Sequence, residues 1–98
     1  MQKISKYIDE KGIPEYTFDD YCKPEDFFRV TKLIQKIKGL KLRVVEKIDA
    51  ESYLMWIYSF KGGEIYLINT NFDGNYMTIK NKEFESLLDE VIEHIRCL

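Results

Sequence analysis

The chain has few of the residues that usually carry catalysis or build disulfide frameworks. Its 98 residues include a single histidine, two cysteines and two prolines. Cys22 and Cys97 are too few for a disulfide-stapled fold, so reduced thiols and a cytoplasmic location are predicted. A serine or cysteine nucleophile would need His94 as its base, and the local sequence offers no third group to orient that histidine. The protein is therefore predicted not to be an enzyme.

Motifs for metals and cofactors are also missing. His94 and Cys97 are spaced to share a helical face, but structural zinc usually has two closely spaced ligand pairs, and only one occurs here. Gly62 and Gly63 lack the spacing of a phosphate-binding loop, and residues 71–75 lack the calcium-loop pattern. No metal and no cofactor are predicted.

Long apolar runs are absent as well. A membrane-spanning helix needs about 20 apolar residues, and the longest candidate, residues 53–60, has only the length of a strand. The N-terminus becomes acidic at Asp9 without an apolar segment, so neither a signal peptide nor a membrane partner is expected. No internal repeat was found, and residues 1–98 are predicted to form a single domain.

The charges that are present are unevenly distributed. The net charge is −2, which argues against a general nucleic-acid binder. Among the charged residues of 9–26, acids outnumber bases. Residues 29–47 instead carry a single acid, Glu46, and seven bases: Arg29, Lys32, Lys36, Lys38, Lys41, Arg43 and Lys47. Such a separation bears on the choice of partner rather than on the fold.

Three helices are predicted from apolar periodicity. Ile4, Tyr7 and Ile8 follow helical spacing in residues 2–11, with Gly12 as the stop. A second helix begins at Pro24 and ends before Gly39, and the third begins at Asn81 as N-cap. Residues 15–23 are compatible with a short strand or with an ordered loop.

Between the second and third helices the apolar period changes to two, which predicts strands at 41–47, 53–60, 65–70 and 76–80. Short connections make them an antiparallel meander. The predicted fold is therefore α+β, in the order α-α-β-β-β-β-α, with two N-terminal helices, a four-stranded sheet and one C-terminal helix.

Both faces of the predicted sheet are rich in apolar residues. A turn centred on Gly62 and Gly63 would pair Lys61 with Glu64, placing Trp56 and Tyr58 on one face and Tyr66 on the other. Two interpretations remain open. Either both faces are covered by other segments, which we favour, or one face forms an aromatic surface for a protein partner or a second copy.

Polar faces of the second helix offer another candidate surface. Arg29, Lys32 and Lys36 lie opposite the apolar stripe, and Arg43 and Lys47 of the next strand extend this set of candidate phosphate contacts. The more ordinary interpretation is a solvated helix face.

The function predicted from the sequence is that of a non-enzymatic protein-binding module, such as a small inhibitor or immunity-type protein. The predicted partner-binding residues are Trp56, Tyr58, Tyr66, Arg29, Lys32 and Lys36. The alternative is a nucleic-acid-associated accessory protein that uses the basic stretch from Arg29 to Lys47. Homodimerisation through the sheet is compatible with either hypothesis.

Overall fold

A computed structural model describes residues 3–48, 53–70 and 74–98. Within these residues the protein has six strands and two α-helices: β1 (Ile4–Ile8), β2 (Pro14–Phe18), α1 (Phe27–Ile34), β3 (Lys41–Ile48), β4 (Tyr53–Phe60), β5 (Gly63–Thr70), β6 (Gly74–Thr78) and α2 (Glu85–Arg96). The α+β class and the antiparallel sheet are confirmed. The predicted four-stranded sheet with two N-terminal helices is wrong. The predicted strand break at 49–52 and part of the turn at 71–75 lie outside the described residues.

The N-terminal segment is a strand because a tight turn pairs it with β2. The Asp9 carboxylate accepts hydrogen bonds from the backbone N–H groups of Lys11 and Ile13, both at 2.8 Å. Gly12 has a φ of 82°, a conformation that glycine adopts without strain. The glycine that was predicted to end a helix therefore closes a β-hairpin, and β1 pairs with β2 from Ile4 opposite Phe18 to Ile8 opposite Pro14.

The sheet has the strand order β1-β2-β6-β5-β4-β3. Strands β3 to β6 form a meander, and the β1–β2 hairpin joins it through the pairing of β2 with β6. The connection from β2 to β3 contains α1, and it has to run from one side of the sheet to the opposite edge. As a result, β1 and β3 are the two edge strands.

Both helices pack on the same face of the sheet. The main core joins apolar side chains of α1 and α2 to one face of β2, β4, β5 and β6, including Phe18, Phe27, Ile34, Leu67 and Leu88. α1 ends at Ile34, before the predicted stop at Gly39. Backbone N–H groups of Lys36 and Ile37 then donate to carbonyls three residues back, which tightens the chain into turns.

The turn between β4 and β5 is centred on Lys61 and Gly62, whose φ angles are 49° and 84°. Phe60 therefore pairs with Gly63, and Tyr58 with Ile65, so the predicted register is wrong by two residues. A shift by an even number leaves each side chain on its predicted face. Gly63 is the first residue of β5. Glycine is favoured at this position because a Cβ would come within 2.6 Å of the Leu87 side chain of α2.

Two buried asparagines attach the chain before α1 to the sheet. Asn69 on β5 donates to the side-chain oxygen of Asn75 on β6 at 2.9 Å. The Asn75 amide nitrogen in turn donates to the carbonyls of Tyr21, at 2.5 Å, and Lys23, at 3.2 Å.

Among the described residues, neither helix is long and apolar enough to cross a lipid bilayer.

Replacing Asn75 by alanine is expected to lower the free energy of unfolding by about 2–3 kcal/mol, because Asn69 and the two carbonyls lose buried partners. Urea unfolding of Asn75→Ala would measure this. Asn81→Ala is the matched control: its exposed side chain caps the turn before α2 by accepting from the Glu83 N–H, and its loss should cost about 1 kcal/mol. Equal losses in the two variants would contradict a special role for Asn75.

Candidate functional site

A groove of about 230 Å³ lies between α1 and the strands β3 and β4. Its lining residues are Thr31, Gln35, Leu40, Leu42, Trp56 and Tyr58. The groove exists because α1 ends at Ile34 and the following turns lead directly into the edge strand β3. Its wall therefore combines residues of a helix, of the turns after it and of two strands.

Three aromatic rings meet beside this groove. Phe27 is fully buried, and its ring centroid lies 5.5 Å from that of Phe28 and 5.3 Å from that of Trp56. Phe28 and Trp56 are 6.0 Å apart, and all three pairs meet edge to face. Edge-to-face contacts hold a ring in a fixed orientation. Phe28 is thus held by its neighbours although 53% of its surface is exposed.

Two aliphatic side chains of β3 extend this apolar region. Leu42 pairs with Tyr58 and Val45 with Trp56, so both lie on the α1 side of the sheet. They are 44% and 57% exposed. Phe28, Leu42, Val45 and Trp56, together with the groove, are called the α1–β3 surface below. Four large apolar side chains so close together form the kind of patch that marks an interaction site.

A bulge determines which β3 side chains reach this surface. The register shifts between Leu42 and Val44, so that Arg43 is the extra residue. In a strand without a bulge, Leu42 and Val44 would point to one face and Val45 to the other. Because of the bulge, Val45 joins Leu42, whereas Val44 pairs with Ile57 on the other face.

Basic side chains border the α1–β3 surface unequally. Lys32 lies one helical turn after Phe28 and is exposed on the same side of α1. Lys41 and Arg43, both exposed, flank Leu42 in the chain, and Lys41 pairs with Ser59 on the other face of the sheet. Arg29 lies farther round the helix, and its guanidinium is 3.6 Å from the Asp26 carboxylate. Lys36 is exposed in the turn after α1.

The predicted partner-binding residues occupy different regions. Trp56 and Tyr58 line the groove, and Lys32 borders it. Tyr66 lies on the opposite face of the sheet, 6% exposed, among Met55, Ile57 and Ile68. That cluster contains only strand residues among those described, and the Lys80 ammonium lies 5.1 Å from the centroid of the Tyr66 ring.

Phe28, Leu42 and Val45 were missed from the sequence. Phe28 carries a recognisable signal, since it adds an aromatic residue beside the apolar stripe of α1 rather than within it. Leu42 and Val45 carry none, because the bulge that aligns them depends on pairing with β4.

The residues considered for chemistry remain apart from this surface. His94 lies 4.0 Å from the Glu90 carboxylate on α2, and Cys22 and Cys97 are exposed free thiols. Within residues 3–48, 53–70 and 74–98, no group of three or more His, Cys, Asp or Glu side chains is arranged to hold a metal ion.

Comparison of the chain with protein-family models, with curated proteins and with solved structures finds no match in any of the three. The site is therefore interpreted from its own geometry.

Tyr58 makes stability at the groove sensitive to high pH. Burial raises the pKa of Tyr58 from 10.0 to about 12, so the folded protein keeps the phenol proton to a higher pH than the unfolded chain does. The stability linked to the neutral phenol is present below pH 10 and is lost as the pH rises from 10 to about 12. We expect a loss of about 2–3 kcal/mol across this range.

Urea unfolding of the wild type and of Tyr58→Phe across this pH range would test the assignment. The free energy of unfolding of the wild type minus that of Tyr58→Phe should fall as the pH rises. Burial also raises the pKa values of Tyr16 and Tyr66, but their contributions are common to both proteins and cancel in this difference. A difference that stays constant would contradict it.

Proposed function

We propose that the protein is a non-enzymatic binding module that recognises another protein through the α1–β3 surface. The observation that carries this proposal is the combination of the exposed Phe28 with Leu42, Val45 and Trp56 beside an open groove. Aromatic residues on a preorganised surface are typical of the few positions that dominate binding energy at protein interfaces.

The size of the groove favours a protein partner over a small molecule. Its volume is about 230 Å³, below the roughly 300–1,000 Å³ of typical small-molecule sites. The apolar side chains continue past the groove onto β3, which suits a macromolecular contact. A role as an inhibitor or immunity-type protein is one form that such binding takes, and the two free thiols favour a reducing, cytoplasmic setting.

Nucleic-acid binding is the second candidate. It is favoured by Lys32, which lies one helical turn after Phe28, because basic and aromatic side chains together bind single strands. Two observations rank it lower. Arg29 is already beside the Asp26 carboxylate, and the exposed aliphatic groups of Leu42 and Val45 gain little from contact with phosphates or sugars.

Capture of partners from source-cell lysate, with and without nuclease treatment, tests the proposal, with immobilised wild type, Phe28→Glu and Tyr7→Glu. Phe28→Glu places a charge where the apolar contact is proposed, and we expect it to weaken capture of a protein partner about tenfold or more. Tyr7→Glu is the matched control, because Tyr7 is equally exposed, at 57%, on the opposite edge strand β1.

Circular dichroism and thermal unfolding would first establish that both variants are folded. A protein partner that is lost with Phe28→Glu and kept by Tyr7→Glu supports the proposal. Partners that bind Phe28→Glu as well as the wild type would contradict it. Partners that disappear on nuclease treatment would favour the nucleic-acid alternative.

A further inference from the structure

We infer that the recognised segment is an acidic, extended stretch of polypeptide that pairs with the free edge of β3 and lays apolar side chains on the α1–β3 surface. This inference rests on the proposed function and names the chemistry of the partner. It follows from three features of β3: its place in the sheet, its regularity and its charge.

Among the described residues, β3 is the last strand on its side of the sheet. All six of its side chains from Lys41 to Glu46 are exposed. An edge strand presents backbone N–H and C=O groups that an extended peptide can pair with, and main-chain hydrogen bonds then supply affinity. Beyond the bulge, pairing with β4 is regular from Val44 opposite Ile57 to Ile48 opposite Tyr53. That stretch has the length of a short strand on which another strand can align.

Charge decides which extended segment fits. Residues 29–47 carry seven bases and one acid, and the exposed Lys41 and Arg43 lie on β3 itself. Lysines and a bulge are devices by which edge strands avoid pairing with copies of themselves. The same charges attract a strand of opposite sign, so they disfavour a second β3 and favour an acidic partner.

The side-chain pattern of the partner follows from strand geometry. Side chains of an added strand alternate between the two faces of the sheet. Those on the α1 side would lie next to Val45 and the groove, where apolar groups are buried best. Those on the other face would lie next to Val44 and Glu46, and next to Lys41 at the start of β3. The segment that fits therefore has apolar residues along the α1 side and acidic residues toward the end that meets Lys41 and Arg43, away from Glu46.

The other edge lacks these features. β1 has five residues against eight in β3, and Asp9 and Glu10 follow it directly. Its Lys6 ammonium lies 3.4 Å from the Glu85 carboxylate and 3.8 Å from that of Asp89, so its positive charge is offset. An acidic strand would find no basic surface there, which makes β1 an internal control.

Amide NMR titration with synthetic peptides tests the inference. The probe is an eight-residue valine and glutamate peptide, matched in length to β3, with its glutamates at the end that lies beside Lys41 and Arg43. We expect shifts in the amides of residues 43–46 and in the Trp56 indole, and little change in β1. Added salt should weaken binding severalfold, because the attraction depends on charges near the surface.

Three matched reagents test separately the charge of the peptide, its backbone hydrogen bonds and the basic side chains of the protein. A valine–lysine peptide of the same length should bind at least about tenfold more weakly. A valine–glutamate peptide methylated on alternate backbone nitrogens, on the pairing edge, should lose binding, since it lacks donors for β3. Lys32→Glu/Arg43→Glu should weaken the unmodified peptide, whereas Lys6→Glu, on β1, should not.

Several results would overturn the inference. If the lysine peptide or the methylated peptide binds as tightly as the unmodified valine–glutamate peptide, either result contradicts it. Stronger binding of a single-stranded oligonucleotide at the same amides would also contradict it. Concentration-dependent shifts of β3 without peptide would indicate a second copy as the occupant. If the acidic peptide fails while Phe28→Glu still abolishes capture of a partner, the inference falls and the proposed function stands. If Phe28→Glu has no effect on capture, the proposed function falls by itself.

Discussion

The pairing of β2 with β6 is the contact on which the rest of the molecule depends. It joins residues 59 to 63 positions apart, with Glu15, Tyr16 and Thr17 opposite Thr78, Met77 and Tyr76. The Thr78 hydroxyl also donates a hydrogen bond to the Pro14 carbonyl at 2.8 Å. Because β2 lies beside β6, the chain that leaves β2 must cross the sheet to reach β3. That crossing contains α1, covers the core and leaves β3 as an edge. The groove between α1 and β3 is thus a consequence of topology.

The crossing chain is held on the core at its start and again by the buried Ile37 and Leu40, directly before it becomes the exposed strand β3. At the start, Asn75 binds the carbonyls of Tyr21 and Lys23, and Phe27 is fully buried. At the end, α1 stops after two turns and the side chains of β3 are exposed from Lys41 to Glu46. Binding sites need a fixed scaffold beside surface that is still free to be covered. The arrangement around Phe28 and Trp56 supplies both within one short segment.

Local patterns in the sequence predicted the elements whose period is unambiguous, and failed where distant contacts decide. α2 and the strands β4 and β5 follow long, consistent repeats. Ile4, Tyr7 and Ile8 satisfy helical spacing as well as a five-residue strand, and only pairing with β2 distinguishes the two. The β4–β5 turn has the same difficulty, since Lys61–Gly62 and Gly62–Gly63 are both acceptable two-residue loops. Lys61–Gly62 forms the turn, and Gly63 lies in the strand, where Leu87 and Phe84 leave little room for a side chain. That contact is distant in sequence, so no local pattern contains it.

The candidate site shows the same division between local and distant information. Trp56 and Tyr58 were recognised because aromatic residues in a strand are visible locally, but Tyr66, chosen for the same reason, lies on the other face. The basic stretch was also visible, although its relation to the aromatic residues was not. That relation arises because the sheet order carries residues 41–48 to the edge beside β4, where Val45 meets Trp56. The basic residues of this part of the sequence therefore lie at the β3 edge of the sheet, next to an apolar groove. A surface of that composition discriminates by charge and holds by apolar contact, which is how protein interfaces commonly divide selectivity from affinity.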